Sequence, residues 1–260
     1  MKKTIYLTIL TIATVICIIV GSCYHIIGWG SGFLHSLPFI SWGDDSYDSA
    51  DHGSSEKTEE LGEFQKLDIQ TSVMDVTVTT GTNYSISYNC SNNLVPVYEV
   101  KDGVLTVTQK GKHIWSWNNN HCDMKITVPA DTKLDQCKIS SSVGDIDISG
   151  LHADTFSTSA SVGDIHITDS ELTNSDLSTS TGDIDMKGIT FSTMIITSSV
   201  GDVDLNADNS LSDYEMNLTT SVGNVEINNR KQGKNYSNNG SSNNELTVHA
   251  STGDVTVNYN

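Results

Sequence analysis

The chain has 260 residues, room for one large domain or two small ones, and a net charge of −18 with Arg230 as its single arginine. Phosphate backbones are held by clustered Lys and Arg, so this balance argues against nucleic-acid binding. Of the five cysteines, Cys17 lies in the N-terminal apolar segment and Cys137 reads as a small apolar residue of an inward column.

The N-terminus reads MKK and then runs uncharged from Thr4 to Val20, with the uncharged run continuing to Asp44. A helix over residues 1–27 is long enough to span a bilayer. Lys2 and Lys3 precede it and the next basic residue is Lys57, which places the bulk of the chain outside the cytoplasm. Three fates of this segment are compatible with the sequence: an uncleaved signal anchor, a cleaved secretory signal, or lipidation at Cys23 in the lipobox-like Val20-Gly21-Ser22-Cys23. The expected location is a bacterial cell membrane, crossed once. Residues 28–63 read as a juxtamembrane segment and acidic linker, because Asp44–Glu63 carries eight acids and one lysine without an apolar period.

Residues 64–136 are strand-like. FQKLDIQTSVMDVTV has the look of a decayed repeat with Met74 in place of a glycine, and GVLTVTQK and DMKITVPA alternate apolar and polar residues. This region is expected to cap the repeats that follow. Cys90 and Cys122 both fall in it and are a candidate disulfide in an oxidising compartment. Trp115 and Trp117 share one parity of the run His113–His121 and are candidates for a sugar or protein platform if exposed, or for a core cap if buried.

Residues 137–260 hold six copies of one phrase. Gly144, Gly163, Gly182 and Gly201 are 19 residues apart; Gly223 and Gly253 follow at 22 and 30. Seven, five, three and one residues before each glycine the side chains are mostly apolar or small. After it the apolar positions shift to two and four, as at Ile165 and Ile167. A one-residue shift in a period of two requires a bend, and glycine tolerates the backbone such a corner needs. Each repeat thus predicts two short strands joined at a Gly-Asp corner. Nineteen residues cannot bury their own apolar face, so the rungs must stack. The predicted fold is all-β: a β-solenoid of ~19-residue rungs with a capping β region, preceded by one transmembrane helix. An antiparallel sandwich with a regular hairpin period is the alternative. The stretch NNRKQGKNYSNNGSSNN between the last two copies predicts a solvated loop, and the last rung is expected to leave an open edge.

The strand with Gly103, Leu105 and Val107, the step Val128-Pro129-Ala130 and the repeated S-x-G-D-[IV] phrases together resemble the bacterial DUF4097 family, over about Phe64–Asn260. That resemblance implies an extracytoplasmic β-repeat domain, a family label of adhesin, and no catalytic residues to carry over.

Asp145, Asp164, Asp183, Asp202 and Asp254 follow the corner glycines and form the sharpest chemical pattern. Stacked carboxylates are candidate Ca²⁺ ligands. Asp after Gly is also ordinary turn chemistry, and single carboxylates from successive rungs do not form the closed loop of a tight calcium site. No cofactor is therefore expected. The serines two before each glycine, Ser142 to Ser251, read as a hydrogen-bonded corner ladder outside any nucleophile motif. The repeated carboxylates are too alike for an acid–base pair, which argues against an enzyme such as a carbohydrate-active β-helix. The sequence thus predicts a membrane-anchored module with a protein or glycan surface partner, used in adhesion, or alternatively an envelope-stress accessory or scaffold at the cell's own membrane.

Overall fold

The computed structural model describes residues 54–91, 94–109 and 122–260. The membrane-segment reading falls outside them; among the described residues no helix is long and apolar enough to cross a membrane.

Three rungs show the repeat in its plainest form. They are β8 (Lys133–Val143) with β9 (Ile146–Ser149), β10 (His152–Val162) with β11 (Ile165–Thr168), and β12 (Glu171–Thr181) with the first part of β13 (Ile184–Val200). The rest of β13 and β14 (Val203–Ala207) make the next rung. Every pairing is parallel and steps by one repeat: Phe156 lies between Cys137 and Ser175, and Ile165 between Ile146 and Ile184. This is a solenoid with two arms per rung, and the parallel register excludes the hairpin sandwich. Its core is the facing columns of the two arms. Ile146, Ile165, Ile184 and Val203 are fully buried, as are the anchors Leu151, Leu172, Ile189 and Leu211. Each such side chain contributes roughly 1.5–3 kcal/mol, available only because a neighbouring rung covers it.

One predicted inward column is not inward. Val143, Val162, Val200 and Val222, each one residue before the glycine, are 46–62 % exposed. The corner begins a residue earlier than strict alternation suggests, so the side chains at both positions before the glycine project outward.

Below β8 and β9 stands the decayed copy, β2 (Lys66–Val73) and β3 (Asp75–Gly81), with Leu67 opposite Cys137 and Val76 opposite Ile146. It is a true rung. Below it β6 (Val104–Thr108) and β7 (Cys122–Pro129) add one parallel strand to each arm. Antiparallel strands then close this end: β5 (Val97–Lys101) on β6, β4 (Ser85–Ser91) on β7, and β1 (Ser54–Glu60) on β4. The linker assigned to 28–63 therefore ends too late. Ser54–Glu60 is a strand held by its backbone; almost all its side chains are exposed, so no apolar period betrays it.

The far end departs further from chain order. β19 (Glu245–Thr252) and β20 (Val255–Tyr259) lie between β13/β14 on one side and β15 (Glu215–Val222) with β16 (Val225–Ile227) on the other. The rung of Gly253 is thus the penultimate one, not the terminal one. The stretch expected to be a loop supplies β17 (Arg230–Gly233) and β18 (Asn235–Asn238), which pair antiparallel with β16 and β15 and cover the edge. Both are polar and largely exposed, which is why their composition reads as loop.

Candidate functional site: the corner ridge and its two flanking faces

The corner glycines share an unusual backbone, with φ between 132° and 151°. They also stack against one another. A Cβ on Gly163 would lie 2.1 Å from the carbonyl oxygen of Gly144, and one on Gly182 2.1 Å from that of Gly163. Only glycine satisfies both constraints. Met74 lacks the positive φ of the glycines, and its carbonyl is what a Cβ on Gly144 would meet, at 2.2 Å.

The close approach aligns the aspartates. The backbone N–H of Asp145 donates to Oδ1 of Asp75 at 2.9 Å, Asp164 to Asp145 at 2.8 Å, Asp183 to Asp164 at 2.8 Å and Asp202 to Asp183 at 2.7 Å. Asp254 donates to Asp202 at 2.7 Å and Asn224 to Asp254 at 2.8 Å. A carboxylate accepting a backbone N–H makes a strong, charge-assisted bond, and here one is made at each step of the stack. This is turn chemistry, but each side chain bonds the next rung rather than its own backbone. Asn224, on the last rung, has no further rung to serve and needs no charge. Asp75 carries the ladder below the first corner glycine; the Met74-Asp75-Val76 phrase was its only signal in the sequence.

The calcium candidates Asp145, Asp164, Asp183, Asp202 and Asp254 therefore stand in single file. Among the described residues no three or more His, Cys, Asp or Glu converge in a metal-binding group. The next outward column on the same arm holds Asp147, His166, Asp185 and Asp204. Burial holds the carboxyls of Asp147 and Asp204 above the ordinary aspartate range; His166 partly offsets this at Asp147, and a hydrogen bond to Thr256 does so at Asp204. Asp185 pairs with Lys187 at 2.6 Å.

The other arm presents a different surface. Its outward columns are Ser140, Ser159, Ser178, Thr197 and then Ser142, Ser161, Ser180, Ser199, with Lys138 and Asp176 the charged groups beside them. Ser159 bonds Ser140 at 3.0 Å. The six corner serines are exposed and, among the described residues, their hydroxyls have no hydrogen-bond partner, so they are not the bonded ladder the sequence suggested. Along the corner between this hydroxyl face and the acidic face runs the exposed stripe of Val143, Val162, Thr181, Val200, Thr252 and Val222.

The disulfide reading concerns the opposite end. Cys90 and Cys122 face each other across β4 and β7 and are bonded. Beside them lies Gln109, only 5 % exposed, which nothing in its sequence context singled out. Its Oε1 accepts the N–H groups of Ser72 and Val73 at 3.1 and 2.8 Å, and its Nε2 donates to Leu94 O at 2.7 Å. One side chain thus serves β2 where β6 has ended. Trp115 and Trp117 lie outside the described residues. Glu59 joins Lys57 on β1 to the hydroxyl of Tyr98 on β5, tying the two arms together; Lys57, then Tyr98, hold its carboxyl below the usual range. Cys137 is fully buried and burial pushes its thiol up to about 12, so it has no role as a nucleophile.

The family model described as Toastrack DUF4097 matches residues 64–237 and, in a second register, 171–258. The chain belongs to this family. A solved structure of a candidate cell-adhesion protein from Clostridium sporogenes is 18 % identical, superposes with a TM-score of 0.55, and is matched over 80 % of this chain and all of its own. A candidate adhesin from Bacteroides fragilis is 16 % identical with a TM-score of 0.46, covering 80 % of this chain and 97 % of its own. A candidate lipid-binding protein from Parabacteroides distasonis is 13 % identical with a TM-score of 0.34, covering 81 % and 98 %. At these identities the likeness concerns the fold. No curated protein matches the sequence.

Proposed function

We propose that this member of the DUF4097 family is a non-enzymatic surface interaction module of the adhesion kind. It is held at a bacterial membrane by residues 1–27, with the solenoid outside the cytoplasm. The observation that carries the reading is the segregated surface. The acidic columns lie on one arm, two columns of hydroxyls line the corner end of the other, and a valine–threonine stripe runs exposed along the corner between them. Such a surface offers many identical, weak contacts repeated at strand spacing, which suits an extended partner better than a small substrate. The Cys90–Cys122 bond supports an oxidising compartment. The adhesion label of the Clostridium sporogenes protein agrees with this assignment.

The test compares bacteria carrying the full chain, bacteria lacking it, and bacteria carrying V143K/V162K/V200K. Attachment to foreign cells and matrix is scored together with sensitivity to envelope stress. Loss of attachment in the deletion and in the lysine variant is the expected result. Unchanged attachment with altered stress sensitivity would replace adhesion by the envelope-accessory role.

A further inference from the structure

The rungs are stacked out of chain order, and this has a mechanical consequence. The strand pair β19/β20 is parallel to its neighbours on both sides. Ala250 sits between Ser198, 52 residues earlier, and Thr220, 30 residues earlier. It fills the space completely: Leu246, Val248, Val255 and Val257 are fully buried. It also completes the aspartate ladder, because Asp254 N–H donates to Asp202 while its own Oδ1 accepts from Asn224. Backbone bonds tie it to both flanks, from Gly201 N and Val203 N to Thr252 O and Asp254 O, and from Gly253 N and Val255 N to Val222 O and Asn224 O. Without this rung, β13/β14 and β15/β16 would face each other two strand spacings apart, ~9.6 Å, too far to bond. The chain therefore makes both walls of a slot before it makes the filler.

The filler follows the wall strands through one short connection. β18 and β19 flank β15 on opposite sides, so residues 239–244, of sequence NGSSNN, must pass beneath the start of β15. The passage is tight at Gly240, where a Cβ would lie 2.3 Å from Glu215 N and 2.4 Å from the carbonyl carbon of Tyr214. Ser241 N and Ser242 N both donate to Asp213 O there.

We propose that the β19–β20 rung is exchangeable, and that two copies of this chain donate it to one another's slots to form a rung-swapped dimer. Every contact of the rung is then remade with identical residues. Only residues 239–244 change conformation, from a turn under β15 to a link between subunits. The difference between the closed monomer and the dimer is therefore confined to that link, and protein concentration sets the balance. Folding favours the encounter. Parallel pairing across 30 and 52 residues is non-local on both flanks, so the slot fills late and a chain with an empty slot and a free rung persists long enough to meet another. The rung carries the Gly253-Asp254 corner that fits both walls.

The test uses the full chain with T197C/H249C, residues that are register partners on β13 and β19. A second pair, T219C/H249C, reports the other flank. Light and heavy isotope-labelled chains are mixed, unfolded, refolded in detergent at several concentrations and oxidised, and the linked peptides are weighed. Swapping produces linked peptides of mixed isotope composition. Their share should rise with concentration toward one half, and G240A, which crowds the closed passage, should raise it several-fold at a fixed concentration. Linked peptides that are only all-light or all-heavy at every concentration, with Gly240 and with G240A alike, would overturn the proposal. So would the absence of linkage from both pairs, because the rung would then not occupy the slot.

Discussion

Replacing Gly182 by alanine tests the corner in the middle of the stack. The added Cβ would sit 2.1 Å from Gly163 O, nearly an ångström inside the closest contact real Cβ atoms show. The backbone, at φ 141°, is also one that L-residues rarely adopt; such strain costs about 1–3 kcal/mol. Relieving the clash means lifting one rung from the next. That would stretch the bond from Gly163 N to Thr181 O and the charge-assisted bond from Asp183 N to Asp164 Oδ1. These two contribute about 2–4 kcal/mol between them. The expected total is about 3–7 kcal/mol, a large part of the stability of an ordinary domain. Gly233 is the control. It too has positive φ, 89°, but nothing lies within 4 Å of its Cβ position, so Gly233→Ala should cost about 1–2 kcal/mol of backbone strain alone. Urea unfolding followed by far-ultraviolet circular dichroism measures both. If Gly182→Ala costs no more than Gly233→Ala, the contact between stacked corners is not what demands glycine.

Two further outcomes are expected. The double variant C90A/C122A, which opens a link between residues 32 apart, should lower stability by about 3–4 kcal/mol in the urea experiment, and peptide mapping without reduction should recover Cys90 joined to Cys122 in the native protein. The carboxyls of Asp147 and Asp204 are raised by burial, so between the ordinary aspartate value near 3.8 and their folded values the folded chain holds more protons than the unfolded one. Their contribution to stability is therefore full at low pH and falls as pH rises through that window. Asp147→Asn and Asp204→Asn should each flatten this decline, so that the gain over the parent in thermal midpoint is larger at pH 7 than at pH 3.

The sequence by itself determined the rung. The shift in apolar parity around Gly144, Gly163, Gly182 and Gly201 required two arms and a corner, and the 19-residue period favoured parallel stacking over a hairpin sandwich, because both signals are local to one repeat. It also exposed the aspartate column, although whether each carboxylate served its own turn or the next rung depended on how closely the corners approach. It could not show that the valines beside the glycines face outward, since the backbone leaves strict alternation one residue before the bend. Nor could it reveal β1, β17 and β18. These strands bury no face, and backbone hydrogen bonds carry no side-chain pattern. Gln109 gave no signal because its partners, Ser72, Val73 and Leu94, are remote in the chain. The order of the rungs was decided only by the tertiary structure. Every rung offers its neighbours the same backbone edges and the same Gly-Asp corner, so nothing in the repeat itself states that the Gly253 rung lies between those of Gly201 and Gly223. What settles it is that β17 and β18, both polar, cover the edges of β16 and β15, and leave the apolar β19–β20 pair to the position where both of its edges are paired.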